Sequence, residues 1–236
     1  MPDLEPMPTD WQRALAIVAH PDDLEYGASA AIAGWTDAGK TVTYLLASRG
    51  EAGIDTMPPH ESGPLRAAEQ IAAAAIVGVD VVEFLDHPDG VIEYGVPLRR
   101  DLATAIRRHQ PELVVTINHH PTFPGGFLNM ADHRNVGNAT LDAVRDAANR
   151  WVFTDAGEPW SGVRWVAVAG SPLATHAVDV TETLDRGIAS LKEHAVYLAA
   201  LEGPMAQPEG FLRTIAEETG DRFGTPLAAS FELIPM

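Results

Sequence analysis

Ile17-Val18-Ala19-His20-Pro21-Asp22-Asp23-Leu24-Glu25 is the stretch on which the reading of this chain turns. A short apolar run ends in a histidine and two aspartates, and an amphipathic pattern of Leu24, Ala28, Ile32 and Trp35 begins at once. Apolar residues without alternation suit a strand buried on both faces of a parallel sheet. Recurrence at helical spacing suits a surface helix. The stretch therefore reads as a strand running into a helix. Its polar residues lie at the strand's carboxyl end, where open α/β sheets bind ligands. Pro21 forces a turn that lets His20 and Asp23 approach one cation, and it leaves Asp22 over as a base. A capping role competes, because Asp22 followed by Glu25 has the spacing of a capping box.

The same alternation continues along the chain. Further strand-like runs fall at Val42–Ala47, Val81–Leu85, Leu113–Ile117 and Trp165–Ala169, after a first at Leu15–Ala19. Helical patterns separate them: one ending at Gly39, one starting at Ser62-Gly63-Pro64, and one with Pro97 in its first turn. Two more run from about His133 to Ala148 and from about Thr181 to Leu201. Such alternation implies right-handed βαβ units. The expected fold class is α/β, a Rossmann-like three-layer fold with a mostly parallel twisted sheet and helices on both faces. Phe231-Glu232-Leu233-Ile234 reads as one more strand at an edge, and 50–63, 118–130 and 203–226 read as irregular. No domain boundary stands out. The expectation is a single domain over 1–236, with an N-terminal extension at 1–12 and a C-terminal loop and edge strand at 203–236.

With 236 residues and 46% hydrophobic content the chain can build one substantial core. No apolar run approaches the roughly 20 residues needed to span a bilayer, and no basic-then-apolar leader opens the sequence. Both point to a soluble cytoplasmic protein with no membrane partner. A net charge of −17 argues against nucleic acid as a partner. The absence of cysteine removes disulfides, thiolate metal sites and cysteine nucleophiles, so any metal must sit on histidine and carboxylate. Oligomeric state has no signature here, and a homo-oligomer stays open.

Asp132-His133 repeats the first cluster at the start of another helix. Two histidines and one aspartate around an open position form a common catalytic zinc arrangement. The same set describes the facial triad of iron(II) oxygenases. Asp22, a carboxylate beyond the three ligands, favours hydrolysis because it suits a base toward an attacking water. His119 and His120 follow the fourth strand on the same face and are candidate electrophiles or proton donors. His87, in Asp86-His87-Pro88-Asp89-Gly90, echoes His20, although Asp89-Gly90 is also an ordinary turn. His60, His109 and His194 read as structural, and His176 stays open. No nucleophile elbow, dinucleotide fingerprint or phosphate loop is present.

Ala19-His20-Pro21-Asp22-Asp23, Asp132-His133-Arg134 and Arg49-Gly50-Glu51 together resemble the motifs of the PIG-L/LmbE-like N-acetylglucosaminyl deacetylase family. Arg66 to Glu69 and Leu85 to Gly90 fit its weaker features. The resemblance implies one Zn2+ per chain, with Fe2+ open in its place, held by His20, Asp23 and His133. It implies Asp22 as general base and removal of an acyl group, acetyl above all, from a small N-acylated amino sugar or its conjugate. Such members include the mycothiol-pathway deacetylase, the mycothiol-conjugate amidase and phosphatidylinositol-glycan deacetylases. Glu51, Arg66 and Asp89 correspond to residues that hold the sugar, and Asp132 is expected to orient His133. Several members carry a histidine three positions before the second zinc histidine, where this chain has Met130. His119, His120 or His176 would take its place. The alternatives are an amidase of a different conjugate, or a metal-retaining sugar-binding protein without turnover.

Overall fold

Successive residues of the strand that leads to His20 face opposite sides of one sheet, and both sides are covered. Ala14, Ala16 and Val18 enter one core with Trp11, Trp35, Tyr44 and Phe231. Leu15, Ile17 and Ala19 enter a second with Leu98, Leu102, Val136 and Ala143. The structure, a computed structural model, describes residues 4–236. Its elements run β1 (Glu5–Pro6), β2 (Arg13–Val18), α1 (Asp23–Gly27), α2 (Ser29–Asp37), β3 (Thr41–Leu46), α3 (Pro59–Ile76) and β4 (Val81–Phe84). Then come α4 (Val96–His109), β5 (Leu113–Ile117), α5 (Ala131–Ala148), β6 (Trp165–Ala169), β7 (His176–Asp179), α6 (Leu184–Lys192), α7 (Ala195–Ala199), α8 (Pro208–Phe223) and β8 (Ala228–Pro235). The expected α/β class holds.

The sheet order is β1-β7-β8-β6-β5-β2-β3-β4, parallel except that β8 runs antiparallel to both β6 and β7. From β2 the chain winds outward through β3 to β4, then crosses to β5 on the other side of β2 and on to β6. The direction reverses between β2 and β5, so the crevice above their carboxyl ends is the topological switch point. Both strands end in site residues. No helix among the described residues is long and apolar enough to cross a membrane.

Four expectations are corrected. Phe231–Ile234 lies inside the sheet rather than at an edge, because β7 and the two-residue β1 extend the sheet beyond it. Those two strands carry little apolar signal in His176-Ala177-Val178-Asp179 and Glu5-Pro6. The stretch 203–226 is mostly helix α8, which buries Leu212, Ala216, Thr219 and Gly220 in a narrow stripe. The helix expected from Ser62 begins a turn earlier at Pro59, leaving Pro64 inside. The helix expected from Thr181 to Leu201 breaks between α6 and α7, where His194 turns into the core.

Candidate metal centre

His20 stands just beyond β2, and Asp23 opens α1 three residues later. Asp23 Oδ2 accepts the backbone N–H groups of Ala19 and His20 at 3.0 and 2.9 Å. That fixes the carboxylate and leaves Oδ1 facing His133 Nε2 at 3.0 Å. His20 Nδ1 lies 3.2 Å from the same His133 nitrogen. All three side chains are buried, and one ligand atom from each falls within 4.8 Å of the others.

The far side of each ring decides what that convergence can hold. His133 Nδ1 meets Asn129 Oδ1 at 3.1 Å. Asn129 Nδ2 donates to the carbonyls of Asn118 and His120, so its oxygen is the atom turned to His133. His20 Nε2 meets Asp89 Oδ1 at 2.9 Å and Asp132 Oδ2 at 3.2 Å. Acceptors on the outer nitrogens favour protons there, so each ring, when neutral, would turn the lone pair of its inner nitrogen toward the Asp23 carboxylate oxygen. Two imidazole nitrogens and a carboxylate oxygen converging within 4.8 Å suit a cation. Imidazole and carboxylate together suit zinc or iron(II).

Without a cation the surrounding carboxylates favour a proton on His20, the charge that a bound metal would replace. Burial would raise the Asp23 pKa, but the adjacent His133 and His20 rings overcome it and hold the carboxyl well below the usual range. Burial would lower His20, yet Asp132, Asp23 and Asp89 raise it well above an ordinary histidine. The pocket around His20 is thus strongly anionic.

Asp22 sits apart from this trio in role. It is buried, its Oδ2 has no hydrogen-bond partner, and the nearest cation is Arg66 Nη2 at 3.5 Å. Burial pushes its pKa up to about 7; Arg66 pulls the value down and Asp23 pushes it further up. The residue adopts the left-handed conformation with φ of 88°, which costs an L-residue of this kind on the order of 1–3 kcal/mol. It occupies the N-cap position of α1 but makes no side-chain cap bond. In a capping box Glu25 would accept the Asp22 N–H. Here Gln70 Oε1 takes that N–H at 2.9 Å, and Gln70 Nε2 donates to Glu25 Oε1 at 2.9 Å.

The remaining expected residues fall into three groups. Asp132 turns to His20, not to its sequence neighbour His133, because adjacent helical residues do not share a face. It also accepts the N–H groups of Gly90 and Ile92, at 2.7 and 3.1 Å, and so ties the β4–α4 loop to the site. Glu51, Arg66 and Asp89 are joined to the protein itself. Glu51 accepts from the backbone of Asp89 and Arg49. Asp89 accepts from Ala52 as well as touching His20. Arg66 donates to the carbonyls of Gly50 and Pro21, with Tyr197 stacked 3.9 Å from its guanidinium carbon.

His119 and His120 stack at 4.3 Å in the loop after β5. His120 Nε2 pairs with Glu232 at 2.7 Å, and Ser171 donates to the same carboxylate oxygen. Burial and the charge of His120 lower the His119 pKa. His176 lies out on β7, against Thr175 and Glu5. Met130 is half exposed at the N-cap of α5. Sequence reading missed Asn129, Gln70 and Glu232 altogether. Each acts through a contact distant in sequence or in an irregular loop, and no local pattern marks it.

Comparisons with known proteins fit this geometry. The family model described as PIG-L, GlcNAc-PI de-N-acetylase, matches residues 15–144. Diacetylchitobiose deacetylase of Thermococcus kodakarensis is 27% identical over 232 residues, covering 96% of this chain and 84% of that protein. A 1D-myo-inositol 2-acetamido-2-deoxy-alpha-D-glucopyranoside deacetylase of Kineococcus radiotolerans is 28% identical, over 89% of this chain and 64% of its own length. Among solved structures, N,N'-diacetylchitobiose deacetylase of Pyrococcus horikoshii superposes with a TM-score of 0.85 at 23% identity. That match covers 96% of this chain and 85% of the other, and it shows a shared fold.

Proposed function

Because this chain belongs to the PIG-L family of GlcNAc-PI de-N-acetylases, we propose that it is a metal-dependent hydrolase of N-acylated amino sugars or their conjugates. Acetyl is the acyl group proposed. Support comes from the relatives' names, which specify deacetylation of diacetylchitobiose and of a GlcNAc-inositol. The observation that carries the reading is the convergence of two ring nitrogens and one carboxylate oxygen from His20, His133 and Asp23.

Zinc, or iron(II) in its place, is the cation proposed, one per chain; when bound it supplies Lewis acidity to the acyl oxygen and the attacking water. His20, Asp23 and His133 hold it, with Asp132, Asp89 and Asn129 fixing the two rings. Asp22 accepts the proton of the attacking water. Its pKa of about 7 matches a base that works near neutrality. The C–O bond forms, the amide C–N bond breaks, and the amine leaves with a proton from the His119–His120 pair, in place of a group at Met130. Glu51, Arg66 and Asp89 brace the loops that form the sugar's wall. The surface charge fits a small-molecule substrate and disfavours nucleic acid.

The test is amine release from N,N'-diacetylchitobiose and a GlcNAc-inositol by metal-loaded protein, beside Asp22→Asn. Wild type should release acetate and free amine, while Asp22→Asn keeps its metal and loses about 10²–10⁴ in kcat. Full activity in Asp22→Asn removes the base assignment. Saturable sugar binding with no acetate released would favour the non-catalytic alternative, for which Met130 is the motive.

A further inference from the structure

The Asp22 carboxylate makes no cap bond and its Oδ2 has no hydrogen-bond partner, the Arg66 guanidinium 3.5 Å away being its nearest cation. Where the carboxylate points depends also on what holds the Pro21–Asp22 peptide. Two side chains do so. Arg66 Nη2 donates to the Pro21 carbonyl at 2.8 Å, and Gln70 Oε1 accepts the Asp22 N–H at 2.9 Å. Arg66 and Gln70 are four residues apart on α3, hence stacked on one helix face. One face thus grips both polar ends of a single peptide unit.

Both grips are fixed from behind. Tyr197 stacks on Arg66, which also binds the Gly50 carbonyl at 2.9 Å. The Gln70 amide is oriented by Glu25 Oε1, so its oxygen and not its nitrogen faces Asp22. Gln70 and Arg66 are buried. The left-handed turn at Asp22 has no glycine to ease it and persists only where the surroundings over-determine it.

We propose that Gln70 is a positioning residue: with Arg66 it clamps the Pro21–Asp22 peptide and thereby aims the Asp22 carboxylate at the attacking water. The proposal rests on the reading of Asp22 as the base. Gln70 touches neither substrate nor cation; it acts through the Asp22 N–H.

Three variants test this in metal-loaded protein. Asp22→Asn sets the reference for loss of the base. Gln70→Leu removes the acceptor, and the exchange variant Glu25→Gln/Gln70→Glu restores an acceptor on the Asp22 N–H and a donor facing it. Gln70→Leu should bind about one metal per chain and lower kcat by about 10–100-fold, the scale of a misplaced catalytic group. Its KM should stay within about twofold of wild type, since ground-state binding is untouched. By NMR, the Asp22 amide should exchange with solvent about tenfold faster than in wild type. The exchange variant should recover both the amide protection and most of kcat.

Wild-type kcat in folded Gln70→Leu overturns the clamp, as does an unchanged Asp22 exchange rate. So does an exchange variant that regains protection but not turnover. If Gln70→Leu fails to fold, the exchange variant decides alone, because a purely structural role would not link amide protection to kcat. Absence of amine release by wild type sinks the deacetylase reading instead, and the clamp then stands or falls on the amide exchange of Asp22.

Discussion

His133 is held from the side opposite Asp23 by Asn129 Oδ1 at 3.1 Å. Asn129 is itself pinned by two carbonyls of the loop after β5. Replacing it with leucine leaves the His133 Nδ1–H buried without an acceptor and frees the ring to rotate. Loss of such an outer partner costs about 10–100-fold in metal affinity. Competition titration against a zinc chelator should show that loss in Asn129→Leu, with a smaller loss in Asn129→Asp, which keeps the acceptor for His133 but sets a carboxylate oxygen against the Asn118 and His120 carbonyls. Unchanged affinity in the leucine variant would mean that the ring is oriented by packing alone. At this scale His20, Asp23 and His133 were legible, because a histidine and an aspartate on either side of a proline at a strand's end form a local pattern. Asn129 was not, since its role exists only once the loop after β5 folds back onto α5. Asp132 was legible as a site residue but not in its partner, which required knowing which ring lay across from it.

Between elements, the approach of α5 to the end of β5 depends on Gly137. A Cβ there would lie 2.6 Å from His119 Cβ and 3.0 Å from the Ile117 carbonyl oxygen. Glycine to alanine inside a helix gains about 1 kcal/mol in propensity, while overpacking costs about 1–3 kcal/mol. With a backbone oxygen in the way the clash wins. Urea unfolding should find Gly137→Ala less stable than wild type by up to about 2 kcal/mol; a variant more stable than wild type would show that the loop yields freely. Strands β2 to β6 and helices α4 and α5 were readable from periodicity and punctuation. Helix α8 was not. It carries Gly210 and Gly220, and its buried stripe uses Thr219 and Gly220 where small residues must fit; a Cβ on Gly220 would meet the Thr225 carbonyl oxygen at 2.5 Å. Packing against β8 sustains that helix where propensity does not.

In the molecule as a whole, the site joins the crevice between β2 and β5 to a buried polar layer behind it. That layer ends in His194, whose Nε2 lies 3.6 Å from Glu25 with neither side chain exposed. Burial disfavours the charged ring, yet Glu25 and the charge of Asp22 outweigh it and raise the His194 pKa. A folded value above the unfolded value of about 6.5 means that the pair's stabilisation is complete below about pH 6.5. It is lost as pH rises through the folded pKa. The stability gap between wild type and His194→Leu, from urea unfolding, should therefore narrow as pH rises above about 6.5. A gap that widens as pH rises contradicts the sign. The histidine was read from sequence as structural, and only the fold reveals that Glu25 and Gln70 link it to Asp22.

Metal content bears most directly on the account, because fold, ring orientation and proposed chemistry all converge on one cation. Mass spectrometry of purified protein and of His133→Ala, each offered zinc and dialysed, should find about one metal per chain in wild type and a large loss in the variant. Retention of the full metal complement by His133→Ala, or no bound metal in wild type, would contradict the assignment of His20, Asp23 and His133 as its ligands.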